Sequence, residues 1–213
     1  MNLVDLGTHI CHFYEGNEDR KEVAIPFVRD GLRRGECCVC VADSLAVDSW
    51  YLELEVDGID IRKARATGAL DVVTGGAWRE LSHLGSVAMA REVLELVDRQ
   101  LDAFPAIRIV GDADWAAEPA VSPEDLCHWE ATASVVFGGL PARVLCQYDV
   151  ARYEPAFIHA ALRTHPIVLY KGQRLRNPHY ESPAILEHEP MLNRCSNDHE
   201  VISSMLAQLV ARK

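Results

Sequence analysis

The sequence has few lysines and no apolar run long enough to cross a membrane, which takes about 20 residues as a helix. Its 213 residues include 21 Lys plus Arg, with lysine only at positions 21, 63, 171 and 213, against 32 Asp plus Glu, for a formal net charge of −11. A protein that binds nucleic acid or an anionic membrane needs a cluster of positively charged side chains. We therefore expect neither direct nucleic-acid binding nor membrane association.

Several catalytic and nucleotide-binding motifs are also missing. No lysine follows a glycine, so the phosphate-binding loop G-x-x-x-x-G-K-[ST] is absent, as are G-x-G-x-x-G and G-x-S-x-G. The turn after the first predicted strand, Glu15 to Asp19, is acidic and would repel phosphates. The sequence therefore disfavours ATP, NAD and serine-nucleophile chemistry, and it predicts no cofactor and no enzyme activity.

Seven cysteines are present, an odd number, and the chain begins without the basic and then apolar pattern of a secretory signal peptide. A reducing, cytoplasmic location is therefore expected. Apolar residues make up 49% of the chain, as in an ordinary globular domain, and the length suits a single core.

Short apolar runs alternate with amphipathic segments along most of the chain. Strands are predicted at 8–14, 37–42, 69–74, 107–111, 143–148 and, as the last, 167–170. Helices are predicted at 17–34 and 86–104, capped by Asn17 and Ser86, and at 43–56, 123–138 and 155–164, with a short helical stretch after Asp60. Gly75 and Gly76 are expected to end the third strand. This alternation predicts an α/β domain in three layers, with a largely parallel sheet and helices on both faces.

The last thirty residues differ in pattern from the rest. Residues 177–197 are loop-like, and from about Asp198 a helix carries one apolar stripe, formed by Val201, Ile202, Met205, Leu206, Leu209 and Val210. That stripe could pack on the domain itself or pair with another chain. We divide the chain into a domain at 1–183 and, at 184–213, a linker and C-terminal helix that is a candidate for homodimerisation or partner docking.

Metal binding has weak support from local spacing. His9 and His12, and likewise Cys37 and Cys40, are three residues apart on predicted strands, so each pair points to opposite faces and cannot chelate one ion. A site assembled from distant residues such as Cys11, Cys146 and a histidine stays open, but no metal ligand is assigned. His165 could be a base, although such a histidine more often serves a helix C-terminus.

The order of several short segments resembles the MEDS domain, the sensory domain named for methanogens, methylotrophs and the DcmR repressor. The segments are Gly7 to Glu15, Pro26-Phe27, Gly31 to Cys37, Gly68 to Leu70, Arg108 to Asp112 with Trp115, Trp129 to Ala131, Leu145 to Asp149, Leu162 to Pro166 and Asn177 to Tyr180. The resemblance implies a RecA/KaiC-like fold that has lost the phosphate-binding loop. It also implies a sensory role toward small molecules such as hydrocarbon derivatives. Family members are often fused to DNA-binding helices, histidine kinases or anti-sigma-type modules; no such module is recognised in this sequence.

Ligands of open parallel sheets bind beyond the carboxyl ends of the strands. There we predict a pocket with an aromatic wall of Tyr14, Trp115 and Tyr148 and with polar contacts from His12, Asp112, Glu130 and His165. The alternative for the histidines and Glu130 is a buried hydrogen-bond network that braces the sheet.

These features predict a non-enzymatic small-molecule sensor in signal transduction or transcriptional regulation. One alternative is an interaction module that regulates a kinase or anti-sigma-type partner through the C-terminal helix. A second alternative is a metal-dependent enzyme.

Overall fold

A computed structural model describes residues 7–41, 44–113, 121–188 and 195–211. In these residues, seven strands form one sheet in the order β3-β2-β4-β5-β1-β6-β7. The strands are β1 Thr8–Tyr14, β2 Cys37–Val41, β3 Leu70–Val73, β4 Ile107–Asp112, β5 Ala142–Asp149, β6 Ile167–Tyr170 and β7 Gln173–Arg176. Each neighbouring pair is parallel except β6 and β7, which are antiparallel.

Helices cover both faces of this sheet. They are α1 Gly16–Arg33, α2 Ser44–Val56, α3 Ile61–Ala66, α4 Gly75–Ser82, α5 Ser86–Leu101, α6 Pro123–Gly138, α7 Pro155–Thr164, α8 Pro183–His188 and α9 His199–Ala211. The apolar strand β2 is buried along its whole length, as expected of a strand covered on both sides. The predicted α/β class with a largely parallel sheet and a C-terminal helix is therefore confirmed.

Two apolar cores lie on opposite faces of the sheet, and the alternation of β1 shows how they are separated. Cys11 and Phe13 belong to the core under α5, α6 and α7, whereas Ile10 belongs to the core under α1 and α2. His9 contacts groups of the first face and His12 contacts groups of the second. The prediction that these two histidines point apart is confirmed.

The same separation holds for the cysteines of β2. Cys37 belongs to the core of the first face, and Cys38 and Cys40 belong to the core of the second. Cys37 and Cys40 therefore point apart, as predicted from their spacing.

Three elements were not predicted from the sequence. Helix α4 begins at Gly75, where we expected only a strand to end, because Trp78 packs into the core and offsets the poor helix propensity of glycine. Strand β7 follows a two-residue turn in which Lys171 and Gly172 have φ of 49° and 69°, the left-handed conformation of a hairpin turn. Helix α8 lies within the segment that was expected to be a loop.

Two predicted helix caps are wrong. Helix α1 begins one residue before Asn17, and its N-cap is Glu15, whose backbone N–H donates to the Asp19 carboxylate at 3.0 Å. Helix α5 includes Ser86 and is capped by Gly85. At α6 the prediction holds, since Ser122 and Asp125 form a capping box ahead of Pro123. The predicted cap Asp43 of the second helix lies outside the described residues.

The C-terminal helix α9 packs on its own chain. Ile202, Leu206 and Leu209 are buried against the larger core, and the helix contacts α7 and β7. Of the two alternatives for the apolar stripe, this arrangement is the intramolecular one. In the part of the chain described, no helix is both long and apolar enough to span a membrane.

Candidate functional site: a buried cluster beside an apolar pocket

Four chemically capable side chains meet on the face of the sheet under α6 and α7. His9 lies near the start of β1, and Cys146 lies on the adjacent strand β5. Glu130 comes from the middle of α6, and His165 immediately follows α7. Their ligating atoms all lie within 4.8 Å of one another. We call these four residues the His–Glu–Cys cluster.

The contacts within the cluster converge on one centre. Nε2 of His9 lies 3.1 Å from Nε2 of His165, 3.1 Å from Oε2 of Glu130 and 3.2 Å from Sγ of Cys146. Oε2 of Glu130 lies 3.5 Å from Nε2 of His165 and 3.7 Å from Sγ of Cys146. His9, Glu130 and His165 are 4%, 2% and 0% exposed, so the centre is shielded from bulk water.

A second layer of hydrogen bonds fixes the orientation of these side chains. The Tyr148 hydroxyl donates to Oε1 of Glu130. Nδ1 of His165 donates to the Ala161 carbonyl oxygen at 2.9 Å, and Nδ1 of His9 contacts the Ser134 hydroxyl at 2.9 Å. Both Nδ1 atoms therefore have partners outside the cluster, and both Nε2 atoms face its centre.

Burial and charge set the protonation of the cluster. Burial by itself raises the pKa of Glu130, but contacts with His9, His165 and Tyr148 outweigh it and lower that pKa to about 2. Burial, together with the neighbouring ring of His9, lowers the pKa of His165 to about 3. Burial and the Glu130 carboxylate raise the pKa of both Cys146 and Tyr148 well above their usual values. The carboxylate is thus ionised beside a protonated thiol and phenol, and neither of these is an activated nucleophile.

An apolar pocket of about 40 Å³ adjoins the cluster. Its walls are formed by residues of β2, β4 and β5, of the position just after β4, and of α4 and α6. These wall residues are Val41, Trp78, Ile109, Gly111, Ala113, Trp129, Ala133, Phe137 and Val144. Trp78 and Trp129 meet edge to face, with ring centroids 5.8 Å apart. His9, Glu130 and Cys146 form the polar part of the lining. The pocket thus joins an aromatic wall to a charged, buried end.

A separate polar network occupies the opposite face, where β1 enters α1. Asp112 accepts hydrogen bonds from the Tyr14 hydroxyl at 3.1 Å and from Nη1 of Arg20 at 2.6 Å. Nδ1 of His12 lies 3.0 Å from the Gln147 side-chain amide, which also donates to the Arg20 backbone carbonyl. The guanidinium of Arg20 is thus paired with a buried carboxylate.

Six of the seven residues predicted as ligand contacts fall into two groups. Glu130, Tyr148 and His165 meet at the cluster, and His12, Tyr14 and Asp112 meet in the network on the other face. The predicted contact Trp115 lies outside the described residues.

Sequence reasoning missed His9 as a partner of Glu130, and Trp78 and Trp129 as pocket aromatics. The alternation of β1 and β5, which places His9, Cys11, Cys146 and Tyr148 on one face, was the available signal.

Comparison with known proteins points to a sensory family. The family described as "MEDS: MEthanogen/methylotroph, DcmR Sensory domain" matches residues 8–166, which include all four residues of the His–Glu–Cys cluster. A protein named "Transcriptional repressor DcmR", from Methylorubrum extorquens, is 26% identical over 166 residues. The aligned segment covers 74% of this chain but only 57% of that relative. Because the family match extends over most of the chain, this protein belongs to the MEDS sensory domain family.

Proposed function

We propose that this protein is a non-enzymatic sensor that binds a small organic molecule in the pocket beside the His–Glu–Cys cluster and signals its presence to a regulatory output. Membership of a sensory family and a relative named as a transcriptional repressor support the regulatory part. The observation that carries the ligand part is the apolar pocket that ends on buried polar side chains. Such concave, mainly apolar sites with a few converging polar groups are typical of small-molecule binding.

The size and lining of the pocket define the ligand class. A volume of about 40 Å³ compares with roughly 10–15 Å³ for a single water by the same kind of measure. A ligand of a few non-hydrogen atoms therefore fits. Its apolar part would contact Trp78 and Trp129, and a polar substituent would face Glu130 and Cys146. A short hydrocarbon derivative has this character.

The predicted contacts take different parts in this proposal. Glu130, Tyr148 and His165 belong to the polar end of the pocket or directly support it. His12, Tyr14 and Asp112 are proposed as a second set of contacts at the carboxyl edge of the sheet, on the opposite face. Trp115 remains proposed as an aromatic contact.

A pocket-filling variant tests the proposal. The backbone of Gly111 has no special φ, and a Cβ placed there would meet only the Val41 Cβ, at 3.8 Å. Gly111→Val should therefore fold while filling the pocket, since β-branched residues suit strands. The measurement is thermal unfolding of wild type and variant with a panel of one- to four-carbon alcohols, ketones and alkanes. Some panel members should raise the unfolding temperature of wild type alone.

A glycine variant away from the pocket serves as the control. Gly76→Ala lies on an exposed part of α4, where an added Cβ meets nothing within 4 Å, and it should keep the wild-type response. An equal response of Gly111→Val and wild type would place binding elsewhere and overturn the assignment of this pocket. Mass spectrometry of small molecules released from the purified protein would identify the natural ligand.

The partners of the sensor are also a proposal. We propose a homodimer, or a complex with a regulatory protein, that uses α9. The face of this helix that remains outside carries Val201, which is 43% exposed. Light scattering of wild type and of Val201→Asp tests this: loss of the dimer with retained ligand binding supports it, and unchanged assembly contradicts it.

A further inference from the structure

The hydrogen-bond partners of the two cluster histidines determine where their ring protons lie. The Ala161 carbonyl oxygen can only accept, so the proton of neutral His165 is on Nδ1. The Ser134 hydroxyl lies 2.9 Å from Nδ1 of His9 and 3.2 Å from the Thr164 carbonyl oxygen, so it can accept from Nδ1 while it donates to that carbonyl. His165 therefore presents a lone pair on Nε2, and His9 does the same when its proton is on Nδ1.

These two lone pairs face each other and a carboxylate. The Nε2 atoms are 3.1 Å apart, and Oε2 of Glu130 lies 3.1 Å and 3.5 Å from them. With both ring protons on Nδ1, three electron-rich atoms share one buried centre, and this arrangement requires a positive charge between them. A proton can bridge two of the atoms at a time, whereas a metal ion bonds all of them.

The spacing of the four atoms fits a tetrahedral metal ion. Zinc bonds of roughly 2.0–2.3 Å to nitrogen, oxygen and sulfur place the ligand atoms of a regular tetrahedron roughly 3.3–3.8 Å apart. Five of the six pairs in the cluster are separated by 3.1, 3.1, 3.2, 3.5 and 3.7 Å. The sixth pair, Nε2 of His165 and Sγ of Cys146, lies within 4.8 Å.

The surroundings also match those of a metal site. Metal-bound histidines usually donate their other ring N–H to a carbonyl or a similar acceptor, and metal-bound carboxylates are usually hydrogen-bonded themselves. Ala161 and Ser134 act in this way for the two imidazoles, and Tyr148 does so for Glu130.

We propose that His9, Glu130, Cys146 and His165 together bind one divalent transition-metal ion, zinc or an ion of similar ligand preference. Two imidazole nitrogens, one thiolate and one carboxylate suit such an ion better than magnesium or calcium, which prefer oxygen ligands. On binding, the thiol of Cys146 loses its proton to solvent, and the ion replaces that proton. This inference goes beyond the proposed function, since the cluster can hold an ion whether or not the pocket holds a ligand.

Cobalt(II) is the probe for the first test, because its absorption reports both geometry and ligand type. The full-length protein, stripped with a chelator, is titrated with Co²⁺ and then with Zn²⁺. We expect one Co²⁺ per chain, the strong visible bands of tetrahedral cobalt, a sulfur-to-cobalt charge-transfer band, and loss of all these signals when Zn²⁺ displaces the cobalt. Absence of saturable binding, which would leave an extra proton as the bridging charge, overturns the proposal.

Variants locate the ion. Cys146→Ser should abolish the charge-transfer band and weaken Co²⁺ binding by more than the roughly 10–100-fold expected when an outer hydrogen bond is removed. The matched control is Cys40→Ser: Cys40 is a second cysteine of the parallel sheet, lies in the core of the opposite face, and should leave the spectrum unchanged when replaced. Equal spectra for both variants would place the ion elsewhere.

Two further variants keep the test decisive. Tyr148→Phe retains all four ligands and, by loss of the hydrogen bond to Glu130, should weaken Co²⁺ binding by about 10–100-fold even if Cys146→Ser does not fold. Gly111→Val fills the pocket and should bind Co²⁺ like wild type. Metal binding without any response to organic ligands would refute the proposed function alone, and the reverse result would refute the metal site alone.

Discussion

At the scale of single residues, buried charges near the amino-terminal ends of β4 and β5 contribute to stability. Glu36 accepts hydrogen bonds from Nε of Arg108 at 2.5 Å and from Nη1 of Arg143 at 2.9 Å. All three residues are buried, and the two arginines are direct neighbours on β4 and β5. The carboxylate therefore separates two like charges that water does not screen.

Replacement of this carboxylate by an amide should be costly. Glu36→Gln removes the buried negative charge that pairs with both guanidinium groups, and we expect the free energy of unfolding to fall by about 3–5 kcal/mol. Glu53→Gln is the control: Glu53 pairs with Lys21 at 3.1 Å, but its side chain is 48% exposed, so about 0–1 kcal/mol is expected. Urea unfolding of the three proteins measures both changes, and similar losses for the two variants would contradict the argument.

The buried histidine His12 should make stability depend on pH. Burial lowers its pKa to about 4 from the ordinary 6.5, although Asp19 acts in the opposite direction. Between these two values the unfolded chain binds a proton that the folded chain does not. The contribution of neutral His12 to the free energy of unfolding is therefore complete above pH 6.5. It decreases as the pH falls toward 4, by up to about 1.4 kcal/mol per pH unit.

This prediction is measured as a difference between proteins. In urea unfolding at several pH values between 7 and 4, with chelator present, His12→Gln should lose less stability on acidification than wild type does. His83→Gln, at an exposed position, should follow wild type. If the stability of His12→Gln and of wild type changed equally with pH, His12 would have the same pKa in the folded and the unfolded protein. That result would contradict the prediction.

At the scale of elements, helix α9 illustrates how tertiary packing decides what an amphipathic pattern leaves open. Leu209 is 1% exposed, whereas Val201 on the same helix is 43% exposed. Leu209→Ala should lower the free energy of unfolding by about 2–5 kcal/mol, and Val201→Ala should change it by less than about 0.5 kcal/mol. Comparable effects of the two substitutions would mean that in solution this helix is not packed on the chain as described.

The predicted elements were those with unambiguous local signals. Strand β2 is a short, purely apolar run, and α6 starts with Ser122, Pro123 and two acids, so both were found. Helix α4 begins with two glycines and strand β7 has only one apolar residue, Leu175, so both depend on contacts with distant parts of the chain. Local pattern cannot show such contacts.

The candidate site was predictable only in part, for the same reason. Glu130 and His165 were named because they lie in segments that resemble the MEDS domain, but their partner His9 is more than 100 residues away in sequence. Only the register of β1 beside β5 brings Cys146 near His9. The strand order, and not any motif, creates the cluster.

At the scale of the whole molecule, the sheet divides the interior into two cores. Val28 of α1 belongs to one core and Val97 of α5 belongs to the other. Val28→Ala and Val97→Ala should each lower the free energy of unfolding by about 1–3 kcal/mol. Because the sheet lies between them, the double variant should lose the sum within about 0.5 kcal/mol. A larger deviation in denaturant unfolding would mean that the sheet transmits packing changes from one core to the other.

The separation of His9 and His165 along the chain has a consequence for biosynthesis. The two residues are 156 positions apart, yet their Nε2 atoms are in contact. A ribosome releases His9 early and His165 only after the strands β1 to β5 have been made, so a nascent chain cannot assemble the cluster. The complete cluster therefore forms only after α7 has been synthesised, and a shorter nascent chain lacks one of its four members.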